Sequence, residues 1–332
     1  MGGSKNFLKY NVRECTLFVL VIVLAILVNI RSGGLFLTGR NIGDVFTDAS
    51  ILLIVAIGMM STIITGGIDL SVGSTMALSA MSACIVLRGN LDTPPVLIVL
   101  IAVAAGFLAG LFNGFLVAWL GIIPIIATIG TMNIYRGITH LLSDGSWILQ
   151  QDMSAGFMAI STGNLLGINN MVWIAAAVVL ASWYFMNYSR TGRQFYALGN
   201  SMEAAKISGI PTRRVLLLTY GLTGAAAGLS GILFVCKFAA AQGETATGYE
   251  LNVIAACVLG GVSIAGGVGK VPGVVLGAVL LAMLNNALPL MRVSPFWQQA
   301  LRGAIILISI LINALIARRA AKKALERRAF AS

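Results

Sequence analysis

The sequence predicts an all-α polytopic membrane protein with about ten transmembrane helices. Three observations predict it. Hydrophobic residues make up 58% of the 332 and charged residues only 10%, whereas a soluble domain carries about a quarter charged residues. Mean hydropathy is +0.94. The apolar residues also come in continuous runs close to the roughly 20 residues that cross a bilayer, not in the alternating pattern of a closed barrel. One such run would fit a buried core helix, but a succession of them exceeds what one soluble core can hide.

The first run, about 15–30, follows Lys5, Lys9 and Arg13 and ends at Arg31 with no small-residue cleavage pattern. It reads as a retained helix, not a signal peptide. Further runs fall at about 49–65, 72–87, 96–120, 125–142, 171–186, 215–235, 251–264, 274–290 and 300–317. Taking the N-terminus as cytoplasmic places Arg31, Arg40, Arg88, Arg136, Lys237, Arg292 and Arg302 outside and the other fifteen of the 22 basic residues inside. That asymmetry fits the rule that basic loops stay cytoplasmic, and both termini come out inside. The chain then divides into a cytoplasmic segment 1–14, a transmembrane domain 15–317 and a basic cytoplasmic tail 318–332. Two polar stretches interrupt the transmembrane domain, one external at 143–170 and one internal and basic at 187–214.

The net charge of +11 sits at helix ends and in the tail, so it orients the chain in the membrane and does not indicate a nucleic-acid patch. Cys15, Cys84, Cys236 and Cys257 form no CxxC pair and read as small apolar fillers. The single histidine, His140, lies near the outer end of a run with no metal-ligand partner at spacing, and reads as an interfacial or packing residue. Neither a Ser-His-Asp arrangement nor a carboxylate cluster points to an enzyme. Gly269-Lys270 fails as a Walker A loop, because Val271 follows where Ser or Thr is needed and Ile264 replaces the leading Gly. Any ATP-driven work therefore needs another chain to hold ATP and Mg²⁺, and this chain is expected to carry no cofactor.

Three features stand out within the runs. Gly106, Gly110 and Gly114 form a ladder at helical spacing, as do Gly224 with Gly228 and Gly273 with Gly277, a pattern that lets helix backbones approach closely in lipid. The segment 66–73, Gly-Gly-Ile-Asp-Leu-Ser-Val-Gly, interrupts an apolar stretch with an acid at a membrane face. It reads either as a broken helix or re-entrant turn on the pathway, or as an ordinary turn with a solvated aspartate. A second Gly-rich turn at 260–267 points to a duplicated architecture. Gly66, Gly67, Asp69 and Ser71, with Asn113, Asn285 and Asn286 inside runs, are candidates to line a pathway or gate. The asparagines serve equally well as interhelical hydrogen-bonding residues. In the internal loop, Ser201 can cap a short helix with Glu203 in its first turn, and Gly209 and Pro211 stop it. With Ala204, Ala205 and Ile207 exposed, this helix needs lipid headgroups or a partner's cleft to cover it.

These residues resemble a known family. Glu-Ala-Ala-x-x-x-Gly at 203–209 is similar to the coupling motif of ABC importer permeases. The 66–73 segment, Thr-Gly-Arg-Gln-Phe-Tyr-Ala-Leu-Gly-Asn at 191–200, Gly-Tyr-Glu-Leu at 248–251 and Val-Leu-Gly-Gly at 258–261 resemble the ribose, arabinose and galactose type of sugar permease. The resemblance implies a type II importer-like fold in a bacterial inner membrane. It also implies a second permease subunit (identical or paralogous), a cytoplasmic ATP-binding subunit and a periplasmic sugar-binding protein. Glu203, Ala204, Ala205, Gly209 and Ile210 would couple to the ATPase. The cargo would be a monosaccharide or a sugar-like solute such as autoinducer-2. An ion-coupled carrier or a channel is the alternative. The carrier would need intramembrane ionisable groups, of which the runs hold few beyond Asp69 and Arg136.

Overall fold

The protein was analysed as a computed structural model that describes residues 12–294 together with 296–298, 300, 301, 303, 304, 307 and 311. The tail and most of the tenth apolar run lie outside the described residues, as does nearly all of the N-terminal segment. The long helices are α1 Val12–Arg31, α2 Gly39–Ile64, α3 Val72–Gly89, α4 Pro95–Ala118 and α5 Pro124–Ser143, then α7 Asn170–Tyr188, α10 Thr212–Phe238 and α12 Val271–Leu290. Shorter ones are α6 Ala155–Thr162, α8 Arg190–Asn200, α9 Met202–Ile207 and α11 Tyr249–Leu259. Among the described residues seven helices, all of the long ones except α5, are long and apolar enough to cross a membrane. The 20-residue α5 runs beside them and carries Arg136.

Local chemistry sets the helix starts. Thr38 and Asn169 accept backbone N–H groups at the starts of α2 and α7. Pro95 and Pro124 occupy the first positions of α4 and α5, where a missing N–H costs nothing. The helix α2 starts ten residues before its apolar run, because the polar turns with Asn41, Asp44 and Asp48 contain no proline, and Thr38 caps their start. It is the central helix. Residues 51–65 are all buried, and α7, α10, α11 and α12 pack around it.

The most extensive packing joins α4 to α10. A Cβ on Gly106 would stand 2.2 Å from the Gly224 carbonyl oxygen, one on Gly110 would stand 2.2 Å from that of Tyr220, and one on Gly228 would stand 2.3 Å from that of Ala102. The two ladders are therefore the two sides of one seam. Gly273 and Gly277 meet Gly260 and Ala256 in a second seam between α11 and α12.

The ends of the bundle are distinct. At one end the Ile64 carbonyl accepts the Gly267 N–H at 2.8 Å, and Lys270 pairs with Glu14 at 2.9 Å. The connected helices α8 and α9, with Arg190, Arg193, Lys206, Arg213 and Arg214, lie at this basic face. The polar stretch 143–170 at the far face is not a plain loop. Its β1 Ile148–Leu149 pairs antiparallel with β4 Ala240–Ala241, while β2 Asn164–Leu165 and β3 Ile168–Asn169 form a hairpin. The buried Phe157 of α6 offers its carbonyl to the Cys236 thiol at 3.1 Å.

One expected span is half-length. Gly231 of α10 packs on Met76 of α3, and Gly73, one turn earlier, packs on Ala246 and Glu250. Because Gly231 lies seven residues before the end of α10, the connection 239–248 folds back into the bundle. The 11 residues of α11 then descend to the basic face over about 16 Å, half the roughly 30 Å hydrocarbon core. Its apolar composition resembled a full span. Its ends are set by Gly248, with φ of 77°, and the Gly260-Gly261 turn.

Replacing Gly110 with Val should lower thermal stability in detergent by several degrees or prevent recovery of monodisperse protein, since overpacking typically costs about 1–3 kcal/mol. Gly130, whose Cβ position is open, should accept Ala with no measurable shift in size-exclusion profile or melting temperature.

Candidate functional site

Three polar assemblies interrupt this apolar bundle. The first is the 66–73 turn. Gly66 takes φ of 85°, and Gly67 leaves room for the Tyr220 hydroxyl, which would stand 2.6 Å from a Cβ there. The chain then re-enters the bundle, and Asp69 is only 1% exposed. Its Oδ1 accepts the Ser71 N–H at 2.9 Å and the Ser71 hydroxyl at 2.6 Å. The Asn113 side-chain amide donates to Ser71 Oγ at 2.7 Å and approaches Asp69 Oδ2 at 3.3 Å. Tyr135 Oη closes the set at 3.1 Å from Asn113 Oδ1 and 2.8 Å from the Ala109 carbonyl oxygen. Asp69, Ser71 and Asn113, 44 positions apart at the extremes, thus form one network joining the turn to α4 and α5. The solvated-aspartate alternative does not hold, because Asp69 is enclosed and hydrogen-bonded.

The second assembly is a cavity of about 440 Å³ at the far face, between α2, α10, α11 and α12. Asn285 lines it with Asp48, Gln242, Glu244, Thr247 and Asn252, and Phe234, Phe238 and Tyr249 form an aromatic side. Asn285 is thereby far from the Asp69 network, and Asn286 does not line the cavity, its buried side-chain oxygen having no hydrogen-bond partner among the described residues. Lys237 pairs with Asp48 across α10 and α2. The connection 239–248 closes one side of the cavity and is clamped by α5. The Arg136 guanidinium donates to the Gly243 and Thr245 carbonyl oxygens at 2.6 and 2.8 Å, and the His140 ring packs on Gly243. Arg136 is therefore an internal strut, not an exposed loop charge. His140 Nε2 lies 3.3 Å from Glu244 Oε1. Hydrogen bonds from Thr247 and His140 hold the Glu244 carboxyl below the usual carboxylate range. Arg136 and His140 sit four residues apart on one helix face, a polar spacing in an apolar helix that sequence inspection could have picked out.

The third assembly is the α8–α9 pair at the basic face. Ser189 caps α8 through the Gly192 N–H at 2.8 Å, and Ser201 caps α9 through the Ala204 N–H at 3.2 Å. The internal loop is thus two helices where one was expected. Phe195 and Leu198 of α8 are buried, Gly199 lies directly against the Ile64 carbonyl, and Tyr196 Oη donates to the Gly269 carbonyl oxygen at 2.8 Å. On α9, Ala205 is buried, not exposed as expected, and Ile210 is half-buried against the same core. Glu203 and Ala204 are exposed, with Met202 beside them and Ile207 at 88%. Gly209 ends the helix with φ of 77°, a conformation that favours glycine. The result is a solvent-facing knob backed onto both the 64–71 and 260–270 turns.

Comparison with known proteins gives a consistent picture. Residues 41–310 match the family described as "Branched-chain amino acid transport system / permease component". The chain is 36% identical over 321 residues to the ribose import permease protein RbsC of Escherichia coli (strain K12), covering 94% of this chain and 97% of that protein. It is 35% identical over 297 residues to the autoinducer 2 import system permease protein LsrC of Salmonella typhi, covering 90% and 84%.

The Asp69 network should behave as a unit. Asp69→Ala and Asn113→Ala should each destabilise the purified chain, and the double variant should cost less than their sum by about 1 kcal/mol or more. Unfolding in detergent measures the cycle, and strict additivity would show that the two side chains do not support one another.

Proposed function

The chain belongs to the family of branched-chain amino acid transport system permease components, and from that premise we propose that it is the membrane-spanning subunit of an ATP-driven importer for a monosaccharide or similarly small sugar-like solute. The sugar assignment rests on two relatives matched over 97% and 84% of their own length, both named as import permeases, one for ribose and one for autoinducer 2. Catalysis is not this chain's task. ATP and Mg²⁺ belong to a separate ATP-binding subunit.

The observation that carries the mechanism is the α8–α9 knob. An exposed helix bearing Met202 and Ile207 cannot bury its apolar side chains against its own chain, so a partner's cleft is the natural cover. Arg190, Arg193, Lys206, Arg213 and Arg214 around it support a cytoplasmic assignment for that face. The ATP-binding subunit docks there on Glu203, Ala204, Ile207 and Gly209, while Ala205 and Ile210 hold the knob to the bundle. When the partner moves, α9 carries α8 with it, and the Gly199–Ile64 and Tyr196–Gly269 contacts pass the displacement to the turns at 64–71 and 260–270. The Asp69, Ser71 and Asn113 network then ties the first turn to α4 and α5, so the gate moves as a connected piece. The assembly is completed by a second permease subunit, identical or paralogous, by membrane lipid and by a solute-binding protein at the far, periplasmic face. The location is a bacterial inner membrane with both termini cytoplasmic.

Gentle affinity purification of the tagged chain from its native membranes should recover an ATP-binding subunit. Ile207→Glu and Gly209→Asp should abolish that recovery and reduce solute uptake at least tenfold, with unchanged levels of folded chain. Gly209→Asn, which tolerates the left-handed conformation without adding charge, should retain most activity. Undiminished uptake in both charged variants, or uptake that persists after ATP depletion, would overturn the coupling role and favour an ion-driven carrier or channel.

A further inference from the structure

We propose that the far-face cavity is a solute-binding site within the permease itself and that its ligand is a neutral polyhydroxylated molecule, not an amino acid. This rests on the importer reading above and deepens it. The cavity's volume of about 440 Å³ falls in the roughly 300–1,000 Å³ range of small-molecule sites.

Its chemistry is divided in two. Phe234 stands 4.5 Å from Phe238 and 5.9 Å from Tyr249 between ring centroids, which gives an aromatic wall suited to the C–H face of a sugar ring. Gln242, Asn252 and Asn285 supply amides from three different elements. Each amide offers donors and an acceptor, matching hydroxyl groups that both donate and accept. An all-apolar bundle has no packing reason to gather three amides around one void, since polar groups inside a membrane protein are costly unless a cavity or a partner satisfies them.

The charges at the cavity argue against an amino acid. An amino acid brings a carboxylate, which needs a cation or a cluster of backbone N–H groups. Among the described residues, Lys237 beside the cavity is already paired with Asp48, and Arg136 is directed at the carbonyls of Gly243 and Thr245. With Asp48 neutralised by Lys237, the Glu244 carboxylate that lines the cavity repels the carboxylate end of such a ligand. Arg136 and His140 act here as positioning residues. They fix the 239–248 connection that carries Gln242 and leads into Tyr249 and Asn252.

The test uses the full chain in two settings. In native cells in which this chain is the sole uptake route, D-ribose, D-galactose and L-leucine uptake are compared for wild type, Asn252→Leu and Asn285→Leu. The proposal expects monosaccharide uptake by the wild type. It also expects a KM raised about five- to tenfold in each variant, as for one or two lost hydrogen bonds, with Vmax within about twofold. In nanodiscs, the Asn252→Cys chain is treated with a membrane-impermeant methanethiosulfonate, and saturating monosaccharide should slow its modification at least threefold while L-leucine should not. If the leucine variants fail to reach the membrane, the cysteine protection decides alone. Wild-type monosaccharide uptake with unchanged KM in both variants and no protection would leave the importer reading standing and overturn the site. Wild-type uptake of L-leucine without monosaccharide would overturn both.

Discussion

The close approach of α4 and α10 is the constraint on which the rest of the structure depends. Lipid offers no hydrophobic drive for helices to associate, so their attraction comes from backbone contact and from interhelical hydrogen bonds. Gly106, Gly110, Gly224 and Gly228 let two long helices touch without side chains between them. This proximity brings Asn113 level with the re-entrant turn and aims Tyr220 at Gly67. It also leaves α2 enclosed, with the Thr62 and Thr223 hydroxyls 2.7 Å apart and the Ser230 hydroxyl 3.1 Å from the Ile51 carbonyl oxygen. A bundle fixed in this way can accommodate segments that do not span.

Two such segments enter this bundle from opposite faces. The 66–73 turn re-enters from the basic face, and the 239–248 connection re-enters from the opposite one. They meet where Gly73 touches Ala246 and Glu250. Irregular backbone at membrane depth is tolerated only where protein or a cavity satisfies its polar groups. Here the satisfaction comes from Asp69, Ser71 and Asn113 on one side and from the Arg136 guanidinium on the other. The arrangement links the knob of α8 and α9 to the far-face cavity through a continuous set of contacts, which is the mechanical requirement for coupling two faces of a membrane.

Much of this was legible in the sequence. Among the described residues nine of the ten apolar runs correspond to nine helices, because a long apolar stretch has few alternatives in a membrane. The short helix of the internal loop showed its cap at Ser201 and its stop at Gly209, since capping is local chemistry. The far-face stretch 143–170 and α8 were not legible as helix and hairpin. Both are short, and they are stabilised by tertiary burial of Phe157 and Phe195, not by their own propensity.

The sequence by itself determined membrane residence, the number and order of apolar segments, the glycine ladders and the family. These depend on composition, length and short motifs, which a linear reading retains. Only the tertiary structure decided that Ala205 is buried while Ile207 is exposed, that α11 crosses half the bilayer, and that Asn285 faces a cavity while Asn113 joins Asp69. In helices apolar on all sides, periodicity does not mark a face. Which side of each helix meets a neighbour, a cavity or lipid is fixed only when the glycine seams bring the helices together.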